Sequence, residues 1–572
     1  MVYFGVYHSD YSRPAGGACD APCITKGRMT LCSRDVASEG GVMAMVRGRL
    51  RNRAALASQL DCPKGASDAR IALSAYLRWG EACPEHLEGP VAACVMDADA
   101  DVLVLSRDRM GEQPVFYTLK NDWAAFSDHP DSLLKSARAE PVVDADGLRE
   151  LFGLGPARRP GRTLYRDIRQ LESGCALIAR GGKTRVKRYY RIEDREHAED
   201  EASTVRRVRE LLEQAVADIL PLRPAVMLSG GLDSTALTAL LCEHMSPVRS
   251  FSVDYQDNAR DFRANAFRPE ADAPYVLEAV RAFGTQHRVT TLEQGSLARA
   301  LGRAMSLRGF PGMADIDSSL MLFAGEIARI DRCVVSGECG DEVFGGYPWF
   351  KSDAPLTGFP WSGSLELRES LLAEDVRGKL KLRDFVGDVF EAHRSAADPG
   401  NAFPPEERRL RTMQRLCFEF FMPNLQERAV RMCEGMGVQV LTPLCDDRLV
   451  EYVYNVPWNM KRMGGQEKGL FRAAVKDLLP EKLLRRVKSP YPKTCSPYFA
   501  QIMRQMTGSL LEDARAPLFE LVDSNAVRRI VESELDPVAT PWFGQLMAGA
   551  QLLGYLWQIN RWMVERNVTI AL

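Results

Sequence analysis

Long apolar runs are missing from this chain. No stretch reaches the ~18 uninterrupted apolar residues that mark a membrane span, and the start, Met1-Val2-Tyr3-Phe4-Gly5-Val6-Tyr7-His8, has no basic region ahead of a secretory core. A cytoplasmic protein is expected. An excess of one charge sign is also missing, with 74 Lys and Arg against 76 Asp and Glu and a formal charge of −2, which excludes a generally basic nucleic-acid binder. Histidine is scarce at 7, and the one nearest the pair Cys19 and Cys23 is the isolated His8, so a structural zinc site is not expected. The 14 cysteines are dispersed, as at Cys62, Cys94, Cys242 and Cys417, and read as reduced thiols rather than a disulfide framework.

What is present is enough chain for two to four domains: 572 residues, 46% hydrophobic and 26% charged, values that exclude a disordered tail and a coiled coil. From 1 to about 191 the sequence gives short apolar or alternating runs broken by turns, such as 41–46, 91–96 and 101–106, which predict packed sheets with a few helices, one of them near 53–60. The charged stretch 192–204 lacks an apolar face and is the linker candidate. From 205 to 572 the helical period appears, with Val205, Val208, Leu211, Leu212 and Val216 on one stripe, then the short strand run 225–228 and a Gly-rich turn; this succession predicts a parallel α/β sheet. The segment 349–405, rich in Pro, Gly and charge, reads as an insertion or lid, and from 411 onward helices dominate.

The strongest local signal is Ser229-Gly230-Gly231-Leu232-Asp233-Ser234-Thr235, between the run 225–228 and an apolar helical stretch. Helix N-terminal amides and two glycines make a phosphate cradle there, and Ser229, Ser234 and Thr235 add hydroxyls. A carboxylate at Asp233 would repel phosphate unless a divalent cation lay between them, which implies Mg²⁺. The G-x-x-x-x-G-K-[ST] spacing is absent, which disfavours a kinase or GTPase. About 100 residues on, Cys333-Val334-Val335 leads into Ser336-Gly337-Glu338-Cys339-Gly340-Asp341-Glu342, a second strand entering a Gly-rich acidic loop. Loops at the carboxyl ends of neighbouring parallel strands converge on one crevice, so Asp341 is expected to share the cation with Asp233 while Glu338 faces the reacting groups.

These motifs resemble the ATP-pyrophosphatase signature of the asparagine synthetase family, and the likeness covers most of the chain. Asn424-Leu425-Gln426-Glu427-Arg428 and Pro443-Leu444-Cys445-Asp446-Asp447-Arg448 are similar to its helical core, and Arg485-Arg486-Val487-Lys488 to its catalytic lysine segment. Arg107-Asp108-Arg109-Met110-Gly111 and Phe126-Ser127-Asp128 resemble its glutaminase-type sandwich. The resemblance implies an N-terminal Ntn-type αββα sandwich, here an inactive glutaminase-like domain, followed by a parallel-sheet α/β ATP-pyrophosphatase domain with helical extensions. It implies ATP and Mg²⁺ as cofactors, Leu228 and Val253 framing the adenine, Ser336 and Gly337 along the nucleotide, and Asp233 and Asp341 holding Mg²⁺. Glu338 would be the base for the attacking amine, and Lys488 would stabilise the tetrahedral intermediate.

One departure from the family pattern decides the expected chemistry. The family's glutaminases carry Cys directly after the initiator Met, a thiol and amine in one residue; here that position is Val2, and Arg47 stands where the family places an Asn for the oxyanion. No glutamine hydrolysis is expected, so the amine must come with the substrate. Relatives with that logic are β-lactam synthetases, carbapenam synthetases and lasso peptide cyclases. The β-lactam formers resemble one another in carrying Tyr at the position of Glu338, which tilts the expectation to a lasso cyclase: activation of a precursor peptide's Asp or Glu and ring closure by its N-terminal amine. Ammonia-dependent asparagine synthesis and a non-catalytic nucleotide-binding homologue are the competing readings. The resemblance implies a precursor peptide, a leader peptidase and a leader-binding protein as partners, and neither nucleic acid nor membrane.

Overall fold

The computed structural model describes residues 3–8, 21–120, 123–136, 138–264, 269–533 and 541–572. The chain forms two compact units: Met1–Gly147 with Arg158–Glu193 and Thr569–Ala571, and Leu148–Ala157 with Asp194–Val568.

The first unit is built on two six-stranded antiparallel sheets. One runs in the order Arg169–Gln170, Phe116–Lys120, Trp123–Ser127, Tyr3–His8, Met29–Ser33, Cys23–Lys26; the other Lys183–Arg188, Cys175–Arg180, Val102–Ser106, Val91–Asp97, Val42–Gly48, Val36–Glu39. Strand alternation decides which residue faces which layer. Met43 and Met45 turn inward onto Tyr3, Leu31 and Phe126 of the facing sheet, while Val42, Ala44 and Val46 turn outward onto Ile71 and Tyr76 of the helix Asp68–Trp79 and Leu56 of Arg53–Gln59. Every strand of this second layer except the edges is therefore apolar on both faces, which is why the runs 91–96 and 101–106 read as continuous rather than alternating. The short strand Thr569–Ala571 returns from the end of the chain to pair in parallel with Val142–Asp144. Cys23 and Cys32 stand directly opposite each other on paired strands and form a disulfide, a correction to the expectation of reduced thiols throughout.

The second unit opens with the helix Glu201–Ala217 (α1), capped by Asp200, whose side chain accepts from the Ser203 amide. Its elements then run Ala225–Met227 (β1), Leu232–His244 (α2), Arg249–Tyr255 (β2), Ala273–Phe283 (α3), Gln286–Leu292 (β3), Gln294–Arg308 (α4), Asp315–Ile327 (α5), Cys333–Val335 (β4), Met422–Glu434 (α6), Gln439–Leu441 (β5) and Gly469–Val475 (α7). All five strands are parallel, in the order β3-β2-β1-β4-β5. Ala225, Phe251 and Val334 face α4, α5 and α6; Leu228 joins Val276 and Ala279 of α3. The strand order reverses between β1 and β4, so a crevice opens at their carboxyl ends, the place where open α/β sheets bind ligands. The segment 349–405 is mostly helical and packed: Phe359 and Trp361 are buried, with Phe359 4.7 Å and Trp361 6.5 Å from the Phe420 ring, and the helix Leu382–Ala397 follows them. No helix among the described residues is long and apolar enough to cross a membrane.

Candidate functional site

Two loops meet at the crevice. After β1 the chain turns through Ser229 to Gly231 into α2, and the turn is tied internally: the Ser234 hydroxyl lies 3.1 Å from the Ser229 amide, which donates to it, and 3.0 Å from the Ser229 hydroxyl. Gly230 has φ +70°, and a Cβ there would come within 2.8 Å of the Tyr275 and Val276 backbone, so only glycine lets the turn pass α3. After β4, Gly337 and Gly340 bring the second loop against the first; a Cβ on Gly340 would stand 2.8 Å from Asp233 Cγ. The glycines thus serve two purposes: Gly230 lets the first turn pass α3, and Gly337 and Gly340 let the second loop lie against Asp233.

Between these carboxylates lies the ammonium of Lys468, only 2% exposed, at 2.6 Å from Asp233 Oδ2 and 2.5 Å from Asp341 Oδ1. Lys488 reaches the other oxygen of Asp341 at 2.7 Å. Burial by itself raises the pKa of Asp341, but the two lysines outweigh it and hold the carboxyl below the usual range. Burial disfavours the Lys468 cation, yet Asp233 and Asp341 more than compensate and keep it charged. Next in the loop, Glu342 is buried beside Asp341 and is pushed up to about 8; the Tyr347 hydroxyl lies 2.8 Å away.

Glu338 faces the same crevice. Its Oε1 is 3.3 Å from Arg428 Nη1, and Arg428 in turn lies 3.5 Å from Asp317, which pairs with Arg308 at 3.3 Å. This is an alternating chain of buried charges ending at Glu338. Burial raises the Glu338 pKa, opposed but not cancelled by Arg428 and Lys488, which moves the carboxylate toward the range a general base needs.

A cavity of about 600 Å³ gathers these groups. Of the residues expected at the site, Leu228, Ser229, Gly231, Asp233, Ser234, Val253, Ser336, Gly337, Glu338, Asp341 and Lys488 all line it. Gly230 and Thr235 do not: Gly230 is the left-handed position of the turn, and the Thr235 hydroxyl is fully buried on α2 without a hydrogen-bond partner. Lys468, Glu467 and Arg486 also line the cavity and were not anticipated. Arg486 donates to the Ser229 carbonyl at 2.9 Å, pairs with Asp272, and stacks 4.3 Å from the Tyr275 ring centre, so it clamps the Lys488 segment to the phosphate turn. Its neighbour Arg485 is exposed, as a basic run on a surface would be.

The donor set fits a Mg²⁺ that arrives with a nucleotide. Among the described residues no group of three or more His, Cys, Asp or Glu forms a dedicated cage, and Mg²⁺ prefers one or two carboxylates, its own waters and substrate phosphates. Asp233 and Asp341 are such a pair, with the Lys468 ammonium standing between them in this structure.

Residues 207–564 match the asparagine synthase family, and residues 36–190 match the glutamine amidotransferase domain. The chain belongs to the asparagine synthase family. It is 36% identical over 514 residues to asparagine synthetase [glutamine-hydrolyzing] 3 of Bacillus subtilis, covering 88% of this chain and 83% of that one. Asparagine synthetase [glutamine-hydrolyzing] 1 of the same organism is 21% identical over 499 residues, 79% of this chain and 75% of the relative. Amidase chyE of Penicillium rubens is 23% identical over 614 residues, 91% and 88% of the two chains. Membership of that family makes the chain an ATP-dependent carbon–nitrogen ligase.

In the unit that matches the glutamine amidotransferase domain, Val2 lies outside the described residues. Arg47, at the end of the strand Val42–Gly48, is 8% exposed; its Nε donates to Gln113 Oε1 at 3.1 Å and its Nη1 lies 3.8 Å from Asp128. Arg107 donates to the carbonyls of Gln113, Leu171 and Gly111, and Asp108 accepts the amides of Glu112 and Gln113. The family segment that begins at Arg107 is therefore a fixed turn, and Arg47 is committed to side chains of this unit.

Proposed function

We propose that this chain is an amide ligase that forms AMP from ATP and does not hydrolyse glutamine. It activates an Asp or Glu side chain of a precursor peptide and closes a macrolactam with that peptide's N-terminal amine, as lasso peptide cyclases do. A carboxylate oxygen attacks the α-phosphorus of ATP, giving an acyl-adenylate and pyrophosphate. The amine then adds to the acyl carbon, Glu338 takes its proton, and AMP leaves with the bonding electrons of the acyl–oxygen bond. Asp233 and Asp341 would hold Mg²⁺, whose role is to neutralise the polyphosphate. Lys488 and Lys468 supply fixed positive charge where the leaving oxygens accumulate negative charge. An amine carried on the same peptide makes the second step unimolecular, with an effective molarity that reaches about 10⁵ M in well-oriented systems.

The observation that carries this reading is the pairing of a complete charged crevice, Asp233, Asp341, Lys468, Lys488 and Glu338 in one cavity, with valine at position 2. A leader peptidase and a leader-binding protein belong to the same proposal, as does a role for the segment 349–405 in enclosing the peptide. The 36% identity to a protein named asparagine synthetase favours a second reading, aspartate amidation with free ammonia. The two separate in one assay: ATP with aspartate and ammonium, against ATP with a linear precursor peptide, read by pyrophosphate release and product mass. The proposal expects loss of one water from the peptide and no asparagine.

A further inference from the structure

Part of the cavity wall is wholly apolar and offers no partner for phosphate or ribose. Phe251 of β2, Leu320 and Phe323 of α5, Ala429 and Cys433 of α6 and Val440 of β5 all line it, although each is at most 9% exposed. They are members of the apolar core between the sheet and its helices, so the cavity runs from the crevice into that core. The apolar wall adjoins Glu338. Arg428, its ion partner, directly precedes Ala429; Tyr491 lies 4.7 Å from the Arg428 guanidinium and packs on the same core. The Ser336 amide donates at 2.8 Å to the carbonyl of Leu441, the neighbour of Val440. Ala429 and Cys433 stand one turn apart on one face of α6, and their short side chains leave the room. Apolar space inside a core costs stability and gains little from water, whereas an apolar guest recovers the burial.

Resting on the reading that a side-chain carboxylate is activated here, we infer that this wall is a subsite for an aliphatic or aromatic side chain beside the activated Asp or Glu. The substrate is then a peptide with an apolar neighbour next to its reacting acid. Free aspartate, with nothing to place on that wall, is a poor one.

The test is ATP–pyrophosphate exchange by the full chain with Mg²⁺ and three probes: L-aspartate, Ac-Gly-Asp-Gly-NH2 and Ac-Leu-Asp-Leu-NH2, with the glutamate peptides in parallel. The leucine peptide is expected to exceed the glycine peptide in kcat/KM by about tenfold or more, the scale on which apolar pockets discriminate, and aspartate to fall below both. Ala429→Leu and, separately, Cys433→Leu should bring the leucine-to-glycine ratio close to one; if either fails to fold, the wild-type ratio still decides. Equal exchange with both peptides would overturn the subsite and leave peptide activation standing. Exchange with aspartate alone would overturn both. No exchange with any probe, from protein that binds Mg·ATP, would overturn activation itself and the subsite with it.

Discussion

At the scale of single residues the site is a balance of buried charge. Asp341 is held ionised by two lysines, so Asp341→Asn removes the partner of Lys468 and Lys488 and, in the proposed reading, a ligand of the cation. Pyrophosphate release is expected to fall below detection in this variant and in Asp233→Asn; normal release by either would refute the assignment. Lys488→Ala should keep nucleotide affinity within a few-fold but slow amide formation by about 10²–10³-fold, the cost typical of deleting one transition-state donor. Glu342 offers a pH signature. Its carboxyl titrates near 4.5 when free and about 8 when folded; the folded state therefore binds the extra proton between those values. Stability attributable to it is full below 4.5 and declines as pH rises toward 8. Glu342→Gln should flatten that decline and raise Tm at pH 8 relative to wild type, a comparison made by calorimetry at pH 5 and 8.

At the scale of elements, two loops after two parallel strands bring Asp233, Glu338 and Asp341 to one cavity, and their glycines allow the close packing. Gly230→Ala forces a side chain into left-handed backbone against α3, a strain of about 1–3 kcal/mol; denaturant midpoints and nucleotide affinity should drop together. The loops were legible in the sequence because a short apolar run followed by Ser-Gly-Gly or Ser-Gly-Glu has few other uses. Lys468 was not legible. In Gln466-Glu467-Lys468-Gly469 a lysine reads as solvated, and its place between Asp233 and Asp341 depends on a left-handed residue (φ +55°) ahead of α7, brought to the crevice by chain 235 residues away from Asp233. The Cys23–Cys32 pairing was hidden for a similar reason, since strand register sets it rather than spacing. The segment 349–405 reads as an insertion or lid with helical pieces such as 365–372; its anchoring through Phe359 and Trp361 in an aromatic cluster is what the sequence does not show. Thr235, a motif position with the right hydroxyl, is fully buried and does not line the cavity.

At the scale of the whole molecule, the family's two halves are both present, and the proposed loss of glutamine hydrolysis rests on Val2 and Arg47 standing where the resemblance places Cys and Asn. The proposed reading expects this chain to consume ATP without producing glutamate. Val2→Cys alone is not expected to restore glutaminase activity, because Arg47 remains committed to Gln113 and Asp128; release of glutamate from glutamine by that variant would show that the unit needs only its nucleophile. The most direct measurement of the central claim follows nucleotide and nitrogen together in wild-type protein supplied with Mg·ATP, glutamine and a linear precursor peptide. The account predicts AMP and pyrophosphate in step with dehydrated peptide and no glutamate. Glutamate in proportion to AMP, or ADP with free phosphate in place of AMP, would contradict it.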